Sequence, residues 1–381
     1  MATFAPMPKS QNILFVTLDT FSRMGGIQWY NRLFGKGLIL NSKAHNYTVS
    51  QYSLYDHLPD ELYFPASAFK GYKGSKVSFT AALAPRLKSA DILVVGHINL
   101  ASVALWYKRL FSQRKVIFLT HGIEVWEPLT GSAQQALQRA DLVVTVSNYT
   151  REKLEKVQKV DPSKIRVLQN SLDPEFELPP DADGLAAWKA EMKLEGAKIL
   201  LTVARFSKTE AAKGYDKVLE LMPRLAEAIP AFKYILAGPV EADEEIRLKK
   251  NWGEWIEKGI LIITGPLSTA DLKYCYHTAD VFALPSAKEG FGRVLIEAAW
   301  TANRVIALNA GGAPEALLNG KLGTLLNDEN PDTLFNEIMA AFSSPVDEKT
   351  LNDNRDLIQK HFGFDNFVQH QNSILKELYG T

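Results

Sequence analysis

Cysteine is nearly absent: Cys275 is the single one in 381 residues. One thiol cannot form an internal disulfide framework or a cysteine-rich metal centre, and its isolation fits a reducing compartment. Long hydrophobic runs are missing too. The longest apolar stretch, residues 92–107, carries His97 and Asn99 and is too short and too polar to cross a bilayer. It reads as a strand, a turn and a helix. The opening MATFAPMPKSQNILFV has no apolar core ahead of its first strand, so no secretory leader is expected and the cytoplasm is the expected location. Internal repeats and low-complexity tracts are not found. Neither half has a G-x-G-x-x-G after its first strand, which weakens a dehydrogenase reading. No G-x-x-x-x-G-K-S/T occurs, which removes P-loop phosphoryl transfer.

What is present is the profile of a soluble globular protein, with 46% hydrophobic and 23% charged residues. The length fits two domains of roughly 150–200 residues each. The zero net charge hides an asymmetry, because residues 1–172 carry 21 Lys and Arg against 11 Asp and Glu and the remainder is acidic to the same extent. A basic first half is suited to an anionic partner such as a phospholipid surface or a phosphorylated acceptor; two solvated faces that happen to differ would look the same.

Short apolar runs rich in β-branched residues alternate with amphipathic segments. NILFVTL (12–18), ADILVVGH (90–97), KVIFLTHG (115–122), DLVVTVS (141–147) and IRVLQNS (165–171) form one series. AKILLTVAR (197–205), FKYILAG (232–238), LIITGP (261–266), DVFALPS (280–286) and RVIALNAGG (304–312) form another. Near-continuous apolar strands with helical spacers predict parallel sheets covered on both faces. The Pro- and Asp-rich DPEFELPPDADG (173–184) between them is the natural linker. The expected architecture is α/β: two Rossmann-like, doubly wound α/β/α domains facing each other across a cleft. Their expected spans are 1–172, a linker at 173–196, and 197–362, with a last helix at about 363–381 crossing back to the first domain.

In such sheets ligands sit beyond the carboxyl ends of the strands. The stretch KEGFGRVLIEA (288–298) lies at such an end. Exposed N–H groups at a helix start near Phe291 would make an anion site, and the paired glycines allow close approach of a phosphate. Glu289 and Glu297, eight residues apart, would stand about 12 Å apart or less on similar sides of that helix. Carboxylates flanking an anion pocket are suited to accepting hydrogen bonds from hydroxyls on either side, the layout of a sugar nucleotide.

LPSAKEGFGRVLIEAAW resembles the Glu-x7-Glu signature of retaining GT-B glycosyltransferases, in particular glycosyltransferase family 4. The resemblance extends over nearly the whole chain: GGIQWYNRL, THGIEVWE, ADLVVTVSNYTREKL, LLTVARFSKTEAAKGYDKVLE, ITGPLSTADLKYCYHTADVFALPS and NAGGAPEAL follow in the family's order. It implies that Arg205 and Lys213 neutralise the donor diphosphate, that Glu297 binds the ribose, and that Glu289 contacts the donor sugar. The backbone of Gly290, Phe291 and Gly292 would meet phosphate and sugar. Gly25 and Gly26 would let the first loop approach phosphate and acceptor, and Leu267 marks where the base is read. His121 would position the donor sugar, with Glu124 a helper or a cap.

The implied activity is a metal-independent, retaining hexosyl transfer to a sugar or lipid-linked acceptor in polysaccharide or glycolipid synthesis, by a monomer with no nucleic-acid partner. UDP-glucose is the favoured donor and GDP-mannose the next. A sugar-nucleotide epimerase and a non-catalytic nucleotide-sugar-binding protein are the alternatives. The basic amphipathic VALWYKRLFSQRK (103–115) could touch an anionic membrane at the inner face, or could simply pack its apolar side on the sheet. The D-x-D at Asp181–Asp183 falls in the linker, and no metal site is expected there.

Overall fold

The computed structural model describes residues 11–379. They form two compact units, one made of the residues up to Ser171 together with those from Phe364 onward, the other of Leu172–Gly363.

The first unit is built on seven parallel strands: β1 Gln11–Thr17, β2 Tyr47–Ser53, β3 Phe69–Gly71, β4 Ile92–Val95, β5 Lys115–Thr120, β6 Leu142–Thr145 and β7 Ile165–Val167. They lie in the order β3-β2-β1-β4-β5-β6-β7. Ile13 to Val16 and Ile92 to Val95 are all at most 1% exposed, as strands covered on both faces must be. The chain winds outward from β1 to β3, then returns to β4 on the other side of β1. That reversal separates the loops leaving β1 and β4 and opens a crevice at their carboxyl ends.

The last helix, Phe364–Tyr379, belongs to this unit. It packs along the helix Gly26–Ala44, burying Phe367 against the Tyr30 ring at 5.9 Å. Gln371, 1% exposed, is held from both ends: its Nε2 donates to Phe34 O and its Oε1 accepts from Asn41 Nδ2.

The second unit repeats the plan with six parallel strands: β8 Lys198–Val203, β9 Phe232–Ala237, β10 Leu261–Gly265, β11 Val281–Leu284, β12 Arg304–Leu308 and β13 Thr324–Leu326. Their order is β10-β9-β8-β11-β12-β13, with the reversal between β8 and β11.

The stretch 173–196 differs from the expected linker. It carries the helices Pro174–Glu177 and Ala182–Glu191 and is part of the second unit. Phe176 and Trp188 are buried there, against Tyr276 at 5.4 Å and beside Tyr274 at 6.3 Å, and Lys273 Nζ donates to the carbonyls of Glu175 and Leu178. Two large apolar side chains outweigh the turn-forming composition around them. Asp181 of the D-x-D caps the second helix, accepting from Gly184 N at 2.7 Å.

The 103–115 segment also changes character. The helix ends at Leu110, and Lys108 is consumed by Asp141 at 2.7 Å and by two backbone carbonyls. Arg114 donates to the carbonyls of Leu87, Lys88 and Ala90. Two of its cations are therefore structural, while Trp106 and Leu110 stay 40% and 54% exposed.

Phe367→Ala should destabilise the first unit by about 3 kcal/mol, the cost of an emptied aromatic site, read as a lower urea midpoint of the full-length chain.

Candidate functional site

In the second unit, the loops after β8 and β11 emerge side by side at the reversal. They are locked together where Ala287 N donates to Ala212 O at 2.8 Å. Gly214 makes this possible: its φ is +76°, and a Cβ there would stand 2.2 Å from Pro285 O. The contact brings Lys213 onto Glu289, Nζ to Oε2 at 2.8 Å, with both side chains less than one fifth exposed. Burial works to depress the Lys213 pKa, but attraction to Glu289 and the hydrogen bond that Nζ donates to it, helped by Glu210, outweigh it and the shift is upward. Lys213 is therefore a fixed cation. Arg205 is not joined to this pair. It is 55% exposed and turns to Glu210.

Two residues after Glu289, Phe291 is buried against Phe362 with ring centres at 5.6 Å. Gly292 adopts φ +98°, and the helix starts at Arg293, later than expected. Glu289 consequently lies in the loop, so the same-side helical relation to Glu297 does not apply. Among the described residues, the backbone N–H groups of Gly290, Phe291 and Gly292 donate to no backbone carbonyl. They are unspent donors beside a cation, the composition of an anion site.

Glu297 is 1% exposed, paired with Arg293 one turn earlier and accepting from Tyr276 Oη at 2.8 Å. The resemblance implies that Glu297 binds the ribose; here the carboxylate is held by these two protein partners. Leu267 follows β10 half-buried, immediately before the Ser268 cap of the helix Thr269–Thr278.

The other candidates belong to the first unit. Gly25 caps the helix Gly26–Ala44, and a side chain at Gly26 would meet nothing within 4 Å. His121 follows β5, and its Nε2 lies 2.9 Å from Gly96 O, which follows β4. Against a carbonyl, Nε2 carries the proton and donates, so Nδ1 is the bare acceptor, and it is buried without a partner. Burial pushes the His121 pKa down to about 4, keeping the ring neutral. Glu124 is a cap: Oε1 accepts from His121 N. Among the described residues no three His, Cys, Asp or Glu side chains come together to hold a metal ion.

Two residues that sequence reasoning missed shape the first loop. Asp56, fully buried, accepts from the backbone N–H of Thr20, Phe21 and Ser22 at 2.7–3.0 Å and from Ser53 Oγ at 2.6 Å. Arg32 closes the loop from the other side, donating to the carbonyls of Thr20, Phe21 and Arg23 and lying 4.6 Å from the Trp29 ring. Together they hold the segment leading into Gly25-Gly26. Nothing in YDHLPDELYFP separates Asp56 from Asp60; only the pairing of β1 with β2 does.

Residues 25–176 match Glycosyltransferase Family 4 and residues 187–360 match Glycosyl transferases group 1, together most of the chain. A GDP-mannose-dependent alpha-(1-6)-phosphatidylinositol monomannoside mannosyltransferase of Mycolicibacterium smegmatis is 26% identical over 365 residues, spanning 87% of this chain and 90% of that one. Among solved structures, a glycosyltransferase from Rickettsia africae superposes with a TM-score of 0.79 at 19% identity, over 98% of this chain and 100% of the other. Anabaena HepE in complex with UDP superposes at 0.76 with 18% identity, over 96% and 100%.

Asp56→Ala should lower stability by about 1–3 kcal/mol, because three backbone donors lose their acceptor inside the protein. Thermal melting and hydrogen exchange at residues 20–22 report it. A pH effect follows from His97, His121 and His277, all depressed to about 4, chiefly by burial. Their stabilising contribution is complete above the unfolded value of about 6.5 and is lost as pH falls from there towards 4. The melting temperature should drop across that window, and His121→Gln should flatten the slope.

Proposed function

Since this chain belongs to glycosyltransferase family 4 and has the two-domain GT-B fold, we propose that it moves a hexose from a nucleotide-diphosphate sugar to a sugar or lipid-linked acceptor, with retention of anomeric configuration. The observation that carries this reading is the group at the β8/β11 reversal: Lys213 fixed as a cation beside the unspent amides of residues 290–292. A departing nucleotide diphosphate gains negative charge as the glycosidic bond breaks, and donors already in place stabilise that charge best. Lys213, those amides and the exposed Arg205 are the groups to do so, without a divalent ion.

In this reading the second unit binds the donor and the first receives the acceptor. The diphosphate draws Lys213 away from Glu289, releasing that carboxylate to accept from sugar hydroxyls. His121, neutral at ordinary pH, offers Nδ1 as an acceptor to a sugar hydroxyl. Leu267 marks the base, Gly25 and Gly26 let the first loop reach the reacting groups, and Glu297 takes the ribose once uncovered. Attack comes from the face of departure through an oxocarbenium-like ion pair, the leaving phosphate drawing the acceptor proton.

The relatives support two donors. The mycobacterial protein is named for GDP-mannose, whereas HepE has been solved with UDP and with UDP-glucose. UDP-glucose, favoured by the sequence reading, and GDP-mannose therefore enter the test together. The phosphatidylinositol-linked acceptor of the first relative supports glycolipid synthesis, with a cytoplasmic enzyme meeting the inner membrane face through exposed Trp106 and Leu110.

Calorimetric titration with UDP, GDP and ADP, alone and as hexose conjugates, should give one tight nucleotide. Lys213→Ala and Arg205→Ala should weaken its binding by about 10- to 100-fold, roughly 1.4–2.7 kcal/mol. Glu289→Ala and His121→Ala should spare binding and reduce turnover. Glu297→Gln, which keeps the side-chain volume and an oxygen to accept from Tyr276 Oη, should weaken nucleotide binding. Binding and turnover unchanged in all these variants would refute the site. Isomerised donor formed without acceptor would indicate an epimerase.

A further inference from the structure

One charged side chain at the β8/β11 reversal has no part in the proposed reaction. Arg205, Lys213 and Glu289 each have a task there; Glu210 has none. It stands in the loop between β8 and the helix Tyr215–Ala228, where the 3-10 turn Lys208–Lys213 is broken by its φ of −103° and ψ of 17°. Both roots of the loop are pinned. Phe206, fully buried, donates its N–H to Pro239 O and packs on the Tyr215 ring at 5.0 Å. At the other root Ala212 O accepts from Ala287 N. Between them Glu210 N donates to Ser207 O, and the Ser207 and Thr209 hydroxyls meet at 2.9 Å. The carboxylate is thereby held to one place.

In that place it has one partner. Among the described residues the Glu210 carboxylate accepts only from Arg205, and the Arg205 guanidinium donates only to Glu210. Glu210 is 21% exposed. A pair this open to water adds little to stability, so the fold does not require it. Its influence reaches further than Arg205. Burial opposes the upward shift of the Lys213 pKa and Glu289 leads it; Glu210 adds to it and Arg205 works against it. The two cations and the two carboxylates therefore act on one another, and their charges sum to zero.

A guanidinium pairs with a carboxylate and with a phosphate through the same fork of N–H groups. A diphosphate and Glu210 therefore compete for Arg205. The diphosphate brings more charge and more oxygens and wins the contest. It nevertheless binds fully only where Arg205 has been released, and its apparent affinity falls by that fraction. The competition matters most after transfer. A nucleotide diphosphate that has lost its sugar has gained negative charge, and the cations that stabilised its departure also hold it afterwards. A carboxylate poised to retake Arg205 offsets that hold.

We propose that Glu210 is a built-in counter-anion of the donor site, which competes with the nucleotide diphosphate for Arg205 and speeds release of the spent nucleotide. This role rests on the donor reading of the site, which by itself gives Glu210 no task.

Calorimetric titration of wild type, Glu210→Gln, Arg205→Ala and the double variant with UDP, GDP and ADP is the test. Glu210→Gln should melt like wild type and bind its nucleotide about three- to tenfold tighter, with product inhibition strengthened by the same factor. Arg205→Ala should cost more affinity in the Glu210→Gln background than in wild type, because the arginine removed there is fully available. Affinity that Glu210→Gln leaves unchanged or weakens overturns the proposal. So does a gain as large without Arg205 as with it, since the carboxylate would then act only by repelling the ligand. A wild-type chain that binds none of the three nucleotides overturns the donor reading, and the role of Glu210 with it.

Discussion

Parallel strand pairing is the constraint on which the rest of this structure depends. A parallel neighbour cannot be reached by a tight turn, so each strand is followed by a crossover that covers a face of the sheet. Every strand then ends on the same side, and the loops that carry chemistry are gathered there. Reversal of strand order between β1 and β4, and again between β8 and β11, parts adjacent loops and leaves a place for a ligand. Lys213, Glu289, Gly25 and His121 all follow strand ends for this reason.

Charges in the candidate site are seated in pairs: Lys213 with Glu289, Arg293 with Glu297, Arg205 with Glu210. Pairs of this kind add little net stability, because taking ions out of water offsets most of the attraction between them. Their physical effect is geometric. A lysine held by a carboxylate stays charged and aimed. The Asp56 and Arg32 clamp does the same for backbone, fixing amides and carbonyls of one loop that would otherwise sample many conformations.

Much of this organisation was legible in the sequence. All ten apolar runs read as strands are strands, since a strand buried on both faces must be apolar nearly throughout. Strands β2, β3 and β13 escaped because they lack that mark. In YTVSQYS the inner residues Gln51 and Ser53 are polar, and they are buried in hydrogen bonds to Thr17, Thr20 and Asp56. The helix after Glu289 starts late because Gly292 turns left-handed, a choice glycine permits but does not announce. The Pro- and Asp-rich stretch looked like a linker because its two anchoring aromatics, Phe176 and Trp188, are few among many turn formers.

The division has a physical basis. Hydrophobic periodicity, glycine placement and ordered motifs act over a few residues, so the sequence by itself determined the alternating α/β plan, the two-domain count and the family. Side-chain pairing acts through space. That Lys213 meets Glu289 while Arg205 turns aside to Glu210, that Glu297 is covered by Arg293 and Tyr276, and that Asp56 rather than Asp60 grips the first loop were decided by the tertiary structure. Only the packing of crossovers onto sheets brings residues dozens of positions apart within hydrogen-bonding distance.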